Sequence, residues 1–193
     1  MTVTKTFVAP PIDEREILRY AGCKSADDET LSLLRSVLSE SAPYISYKVC
    51  FCDAPLKING DICDFGFFSV PSVSLSKNLY DCERAIIFAA TIGIPFDRLI
   101  AKYSKISPSR AVMLQAIGTE RVEALCDAFC NELTAEGYKL RPRFSPGYGD
   151  VPLDVQKQIF STLDITKNIS VFLSDSFIMT PSKSVTAFVG ISK

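Results

Sequence analysis

From Ser107-Pro108 to Gly137 the sequence runs without another proline, a stretch of about thirty residues and about 45 Å if helical. Pro108 is pre-set for a first helical turn, the Ser107 hydroxyl is placed to cap orphan N–H groups, and Gly137 supplies the stop. Ala111, Leu114, Ile117, Val122, Leu125, Phe129 and Leu133 keep one face apolar, with an irregularity expected at Gly118. This helix, about 107–136, is the expected spine of the fold.

The segments around it alternate between two periodicities. Ile12 to Ala21 and Glu29 to Leu38 carry apolar residues at helical spacing, the second behind an acidic start, Asp27-Asp28-Glu29. From Tyr44 the pattern turns to short β-rich runs, Tyr44 to Cys52, Leu56 to Ile58 and Ile62 to Val70, with Asn59-Gly60 as a hairpin signal. Ala85 to Thr91 is continuous enough in apolar character for a buried central strand, and Gly93 and Pro95 separate it from a short helix, Phe96 to Tyr103. After the long helix come an extended segment from Lys139 to Phe144, a Pro-Gly loop, a helix from Leu153 to Leu163, and β runs at Ser170 to Leu173 and Ser184 to Ile191. Regular strand-helix-strand units are too few for a doubly wound sheet, so the class is α+β, mainly antiparallel, with flanking helices. A single domain over residues 1–193 is expected, with a helical part at 1–42 and an α+β body at 43–193.

Composition narrows the chemistry. With 47% apolar residues, 22% charged and a formal net charge of −1, the chain is globular and has no basic stripe for a nucleic-acid backbone. Ala85 to Gly93, the most apolar stretch, is about half the roughly 20 residues of a membrane span, and no secretory pattern opens the chain. A cytoplasmic protein is expected, without nucleic acid or membrane as partner. The absence of histidine removes the commonest general base and metal ligand and the histidine half of every hydrolytic triad. Cys50-x-Cys52 with Cys63, Cys82, Cys126 and Cys130 offers a metal site on paper, but no pair has the usual two-residue spacing. Cys126 and Cys130 read as buried beside Phe129, and Glu120, Glu123 and Asp127 as the solvated face of the long helix.

The sharpest local feature is Arg141-Pro142-Arg143-Phe144-Ser145-Pro146-Gly147-Tyr148-Gly149-Asp150. Pro146 and Gly147 specify a turn, Gly147 admits close approach to the main chain, Arg143 offers a fork for a carboxylate, and Tyr148 a ring and a hydroxyl. Read without a ligand, the same residues make a type II turn with Tyr148 on the core and Arg143 in solvent.

Arg143 to Tyr148 resembles the Arg-x-x-x-Gly-Tyr signature of the activation domain of cobalamin-dependent methionine synthase. Leu173 to Val185, with Ser176-Phe177, Met179, Pro181 and Ser184-Val185, resembles that family's Thr-Glu-Ser-Phe-x-Met-x-Pro-x-x-Ser-Val segment. The two motifs stand in the family's order and at about its spacing, so the resemblance covers the C-terminal half. Where the family continues Gly-Tyr-Pro, this chain reads Tyr148-Gly149-Asp150, and Thr180 stands where the family often has tryptophan.

The resemblance implies a bent antiparallel sheet and a site for S-adenosylmethionine on the loop at 141–150. Arg143 would meet the ligand carboxylate, Ser145 and Gly147 would use backbone groups around Pro146, Tyr148 would close the site, and Asp150 would be a further contact. It also implies reductive reactivation of cobalamin, which rests on a partner because base-off binding needs a histidine. The expected partners are a corrinoid-dependent methyltransferase, such as a split methionine synthase, and a flavodoxin-like or ferredoxin-like electron donor. A module that keeps the fold for interaction alone is the alternative.

Overall fold

A computed structural model describes residues 1–23 and 25–192. The chain opens with β1 (Val3–Phe7), α1 (Glu14–Tyr20) and α2 (Asp28–Ser41). A short 3-10 turn leads to β2 (Tyr47–Pro55), the meander β3 (Lys57–Asn59), β4 (Ile62–Asp64) and β5 (Ser69–Pro71), and the single-turn α3 (Val73–Asn78). Then come β6 (Cys82–Thr91), α4 (Ile94–Ile106), α5 (Pro108–Ala135), β7 (Lys139–Leu140), α6 (Val155–Leu163) and α7 (Ile165–Ile169). The small hairpin of β8 (Phe172–Leu173) and β9 (Met179–Thr180) precedes the last strand, β10 (Ser184–Ser192).

Five strands form the main sheet in the order β1-β2-β6-β10-β7, every pair antiparallel. β6 lies at its centre, as the apolar run Ala85 to Thr91 requires. Neighbouring side chains of a strand point to opposite faces, and here both faces are covered. Ile86, Phe88 and Ala90 enter a core closed by α1, α2, α4 and α5. Ala85, Ile87 and Ala89 enter a second core closed by the meander, α3, α6 and α7. A strand buried on both sides loses the apolar-polar alternation of a half-exposed one, which accounts for its unbroken hydrophobic run.

Several boundaries moved for identifiable reasons. The N-terminal part expected to be helical begins with a strand, because Val3–Phe7 pairs with residues 47–51 of β2. Asp27 caps α2 by accepting from Thr30 N, as the acidic start suggested. Ser107, by contrast, makes no side-chain cap on α5; its hydroxyl lies 3.5 Å from that of Ser109. The stop is as expected: Gly137, at φ 99°, donates to Thr134 O, and Tyr138 reaches back to Leu133 O. Gly118 is no irregularity in α5. It is a place where α4 and the β9–β10 connection press on the helix backbone, since a Cβ there would lie 2.6 Å from Phe96 Cε1 and 2.9 Å from Lys183 Cγ.

Candidate functional site

The loop at 141–150 leaves β7 along β10, with Arg141 N on Gly190 O and a two-way backbone bridge between Phe144 and Phe188. It then turns twice. Tyr148 N donates to Ser145 O across Pro146-Gly147, with Gly147 at φ 89°, the geometry of a type II turn. Val151 N donates to Tyr148 O across Gly149-Asp150, and Gly147 N reaches Val151 O at 3.0 Å. Val151, buried in the second core, anchors the far end.

A cleft of about 480 Å³ opens beside this loop, within the range of about 300–1,000 Å³ usual for small-molecule sites. Arg143, Ser145 and Tyr148 line it, joined by Arg141, Cys130, Glu123 and Asp127. Arg143 ion-pairs with both acidic residues, through Glu123 Oε2 at 2.9 Å and through the Asp127 carboxylate. Tyr148 is 68% exposed, so it lines the cleft without packing on the core. Pro146 and Gly147 shape the turn between Ser145 and Tyr148 without lining the cleft. Asp150 is engaged elsewhere. Its carboxylate accepts from the Ser72 hydroxyl, from Val73 N at 2.8 Å and from Ser74 N at 3.1 Å, and these bonds, the Ser72 one foremost, hold it well below the usual carboxylate range.

Glu123 and Asp127, one turn apart on α5, also wall a second cavity of about 390 Å³, whose other side is Pro10, Pro11, Asp13, Glu16 and Tyr20. The two cavities therefore share an acidic ridge. Reading Glu123 and Asp127 as merely solvated misses this, and the signal available was their i, i+4 spacing on the helix leading to Arg143. Glu120 is not on a solvated face at all, being 5% exposed. Its neighbour Arg121, 1% exposed, satisfies it with two bonds of 2.5 Å and donates at 2.6 Å to Pro10 O and to Pro11 O. Asp13 N adds a bond of 3.1 Å to Glu120 Oε1. The buried pair thus straps the N-terminal segment onto α5 and fixes the wall of the second cavity.

The second motif plays a different part. Ser182 donates to Asp97 through its backbone N–H at 2.6 Å and its hydroxyl at 3.0 Å. The Lys183 ammonium reaches Thr119 Oγ1 at 2.9 Å, and Ser184 Oγ lies 2.8 Å from Thr91 Oγ1. These contacts seat the start of β10 on α4, α5 and β6, and only Val185 of the motif reaches the cleft. Among the described residues no group of three or more cysteine, aspartate or glutamate side chains is placed to hold a metal. Burial pushes the Cys50 thiol up to about 12 and Cys63 up to about 11, so both are protonated packing groups. No described helix is long and apolar enough to cross a membrane.

No curated protein sequence matches the chain. Among solved structures, the crystal structure of the MetH reactivation domain bound to AdoHcy aligns with a TM-score of 0.68, covering 99% of this chain and 78% of that one at 14% sequence identity. At that identity the likeness establishes a common fold, the curled antiparallel sheet with flanking helices. The pattern of the vitamin B12 dependent methionine synthase activation domain matches residues 80–193, which include the loop, α5 and both motifs. With more than half of its length matched, the chain belongs to the vitamin B12 dependent methionine synthase activation domain family.

Proposed function

We propose that this protein binds S-adenosylmethionine in the cleft beside Arg143 and presents it to a corrinoid held by a partner methyltransferase. The observation that carries the reading is the charge pattern of the cleft: Arg143 lies between two carboxylates, Glu123 and Asp127, while the other guanidinium of the lining, Arg141, donates to Tyr80 O. S-adenosylmethionine carries one carboxylate and two cationic centres, an ammonium and a sulfonium. Its carboxylate matches Arg143, and its cations match the acidic ridge, so the ligand replaces the protein's own ion pairs with equivalent ones. Ser145 and Gly147 offer backbone groups at the turn around Pro146, and Tyr148 lines the cleft. The MetH reactivation domain, which shares the fold, is bound to AdoHcy, the demethylated form of this ligand.

The ligand supplies an electrophilic methyl group. The residues of this chain bind and orient it, and their contribution to rate is positional. The chain has no histidine to offer as a lower ligand to cobalt, which supports a corrinoid on the partner, with the reducing electron from a flavodoxin-like or ferredoxin-like donor. We assign the whole chain to one domain in the cytoplasm.

Titration calorimetry with S-adenosylmethionine tests the reading. The wild type should bind, and Arg143→Ala should bind about 1.5–3 kcal/mol more weakly, the worth of a hydrogen bond to a charged group. A wild type that gives no heat and no thermal shift with the ligand would leave the fold serving interaction alone.

A further inference from the structure

We infer that Asp150 is a positioning residue, which fastens the ligand loop to the start of α3 through Ser72 and thereby sets the place of Tyr148 at the cleft. The inference rests on the proposed ligand site and gives Asp150 a role other than ligand contact.

Three donors of one corner, the Ser72 hydroxyl, Val73 N and Ser74 N, converge on this single carboxylate from more than seventy residues away in sequence. The Ser72 hydroxyl is used twice: it donates to Asp150 and accepts from Leu75 N at 2.9 Å. The corner itself is firm, because Ser72 is 3% exposed, Ser72 N donates to Asp61 O at 2.7 Å, and Val70 and Leu75 on either side are fully buried.

The loop is built to reach this corner. Gly149 lies at φ 55°, and a Cβ there would stand 2.7 Å from Ser74 Oγ and 2.8 Å from Ser74 Cβ, so no side chain fits between the loop and α3. That close approach explains why glycine follows Tyr148 in this chain. Between Asp150 and the buried Val151 on one side and the Ser145–Tyr148 turn on the other, the bond from Gly147 N to Val151 O leaves Tyr148 a fixed base while its ring stays exposed. The cleft side of the loop thus has its position determined on the opposite side, by residues that line neither cavity.

The test combines variants Asp150→Asn, Ser72→Ala, Ser72→Thr and the double variant Asp150→Asn/Ser72→Ala with two measurements. The first is amide hydrogen exchange at Gly147 and Val151 in the ligand-free protein, and the second is the affinity for S-adenosylmethionine. Asp150→Asn and Ser72→Ala should each accelerate exchange at both amides and weaken binding by about tenfold. The double variant should bind no more weakly than the weaker single one, because both changes open the same clasp. Ser72→Thr, which keeps the hydroxyl, should restore slow exchange and affinity. Unchanged exchange in Asp150→Asn overturns the clasp, and so does a loss of affinity confined to Asp150→Asn, which would make Asp150 a direct contact. A wild type that does not bind S-adenosylmethionine overturns the ligand reading, and the exchange data then decide the clasp alone.

Discussion

Arg143 enters the cleft with its charge already matched. A ligand that takes the guanidinium must offer as much as Glu123 and Asp127 do, and must compensate those two when they are released. This selects a zwitterionic or dipolar amino-acid group over a simple anion, which would leave two carboxylates uncovered. Cys130 reports on the same place. It lines the cleft, is only partly exposed, and has its thiol pushed upward, chiefly by burial. Alkylation at neutral pH should therefore be slow at Cys130 and slower still with S-adenosylmethionine bound. Peptide mass spectrometry reads this against Cys23, which lines neither cavity. Equal modification of Cys130 with and without ligand would place the ligand elsewhere.

At the scale of elements, α5 carries the arrangement. Its apolar face holds Phe129 among the rings of Phe7, Phe51 and Phe88, at centroid distances of 6.3, 4.9 and 5.1 Å, and the turns just before it present the acidic ridge of Glu123 and Asp127. Gly118 is where α4 closes on it. Gly118→Ala would gain about 1 kcal/mol of helix propensity, yet the added methyl would lie 2.6 Å from Phe96 Cε1. The expected result is a net loss of about 1–3 kcal/mol from overpacking, measured as a lower urea midpoint with unchanged slope. Stabilisation instead would show that Phe96 and Lys183 yield freely. The long helix, the central strand and the β3–β4 hairpin were legible because each is specified by neighbours in sequence: a periodic face, an unbroken apolar run, and a turn that falls on Gly60-Asp61, one residue beyond the Asn59-Gly60 expected, since Asn59 pairs with Ile62. β1 and α3 were not. Val3–Phe7 is a strand only because β2, forty or more residues on, offers it a partner, and Val73–Asn78 is too short to show a period and shares the capping of its first turn between Ser72 and the distant Asp150. The site divides the same way. Arg143, Ser145 and Tyr148 could be read from one loop, whereas Glu123, Asp127 and Asp13 line one cavity only because α5 and the N-terminal segment meet.

The whole molecule responds to acid through such long-range ties. The Asp150 carboxylate has its folded-state pKa depressed, so its contribution is fully present above the unfolded value of about 3.9. That contribution is lost as pH falls below this value toward the folded one. Wild type and Asp150→Asn should differ in thermal stability at pH 7, and the difference should begin to narrow as pH falls from 5 to 3, as seen by circular dichroism; a constant difference would remove the charge from the account. The strap of Arg121 on Pro10 and Pro11 extends the theme. Residues 80–193 are the part by which the family is recognised, yet the far wall of the acidic ridge comes from the first twenty residues. The unit of descent and the unit that encloses both cavities are thus of different size: residues 80–193 carry the signature, its arginine and the whole lining of the cleft beside them, but only one wall of the cavity behind the ridge.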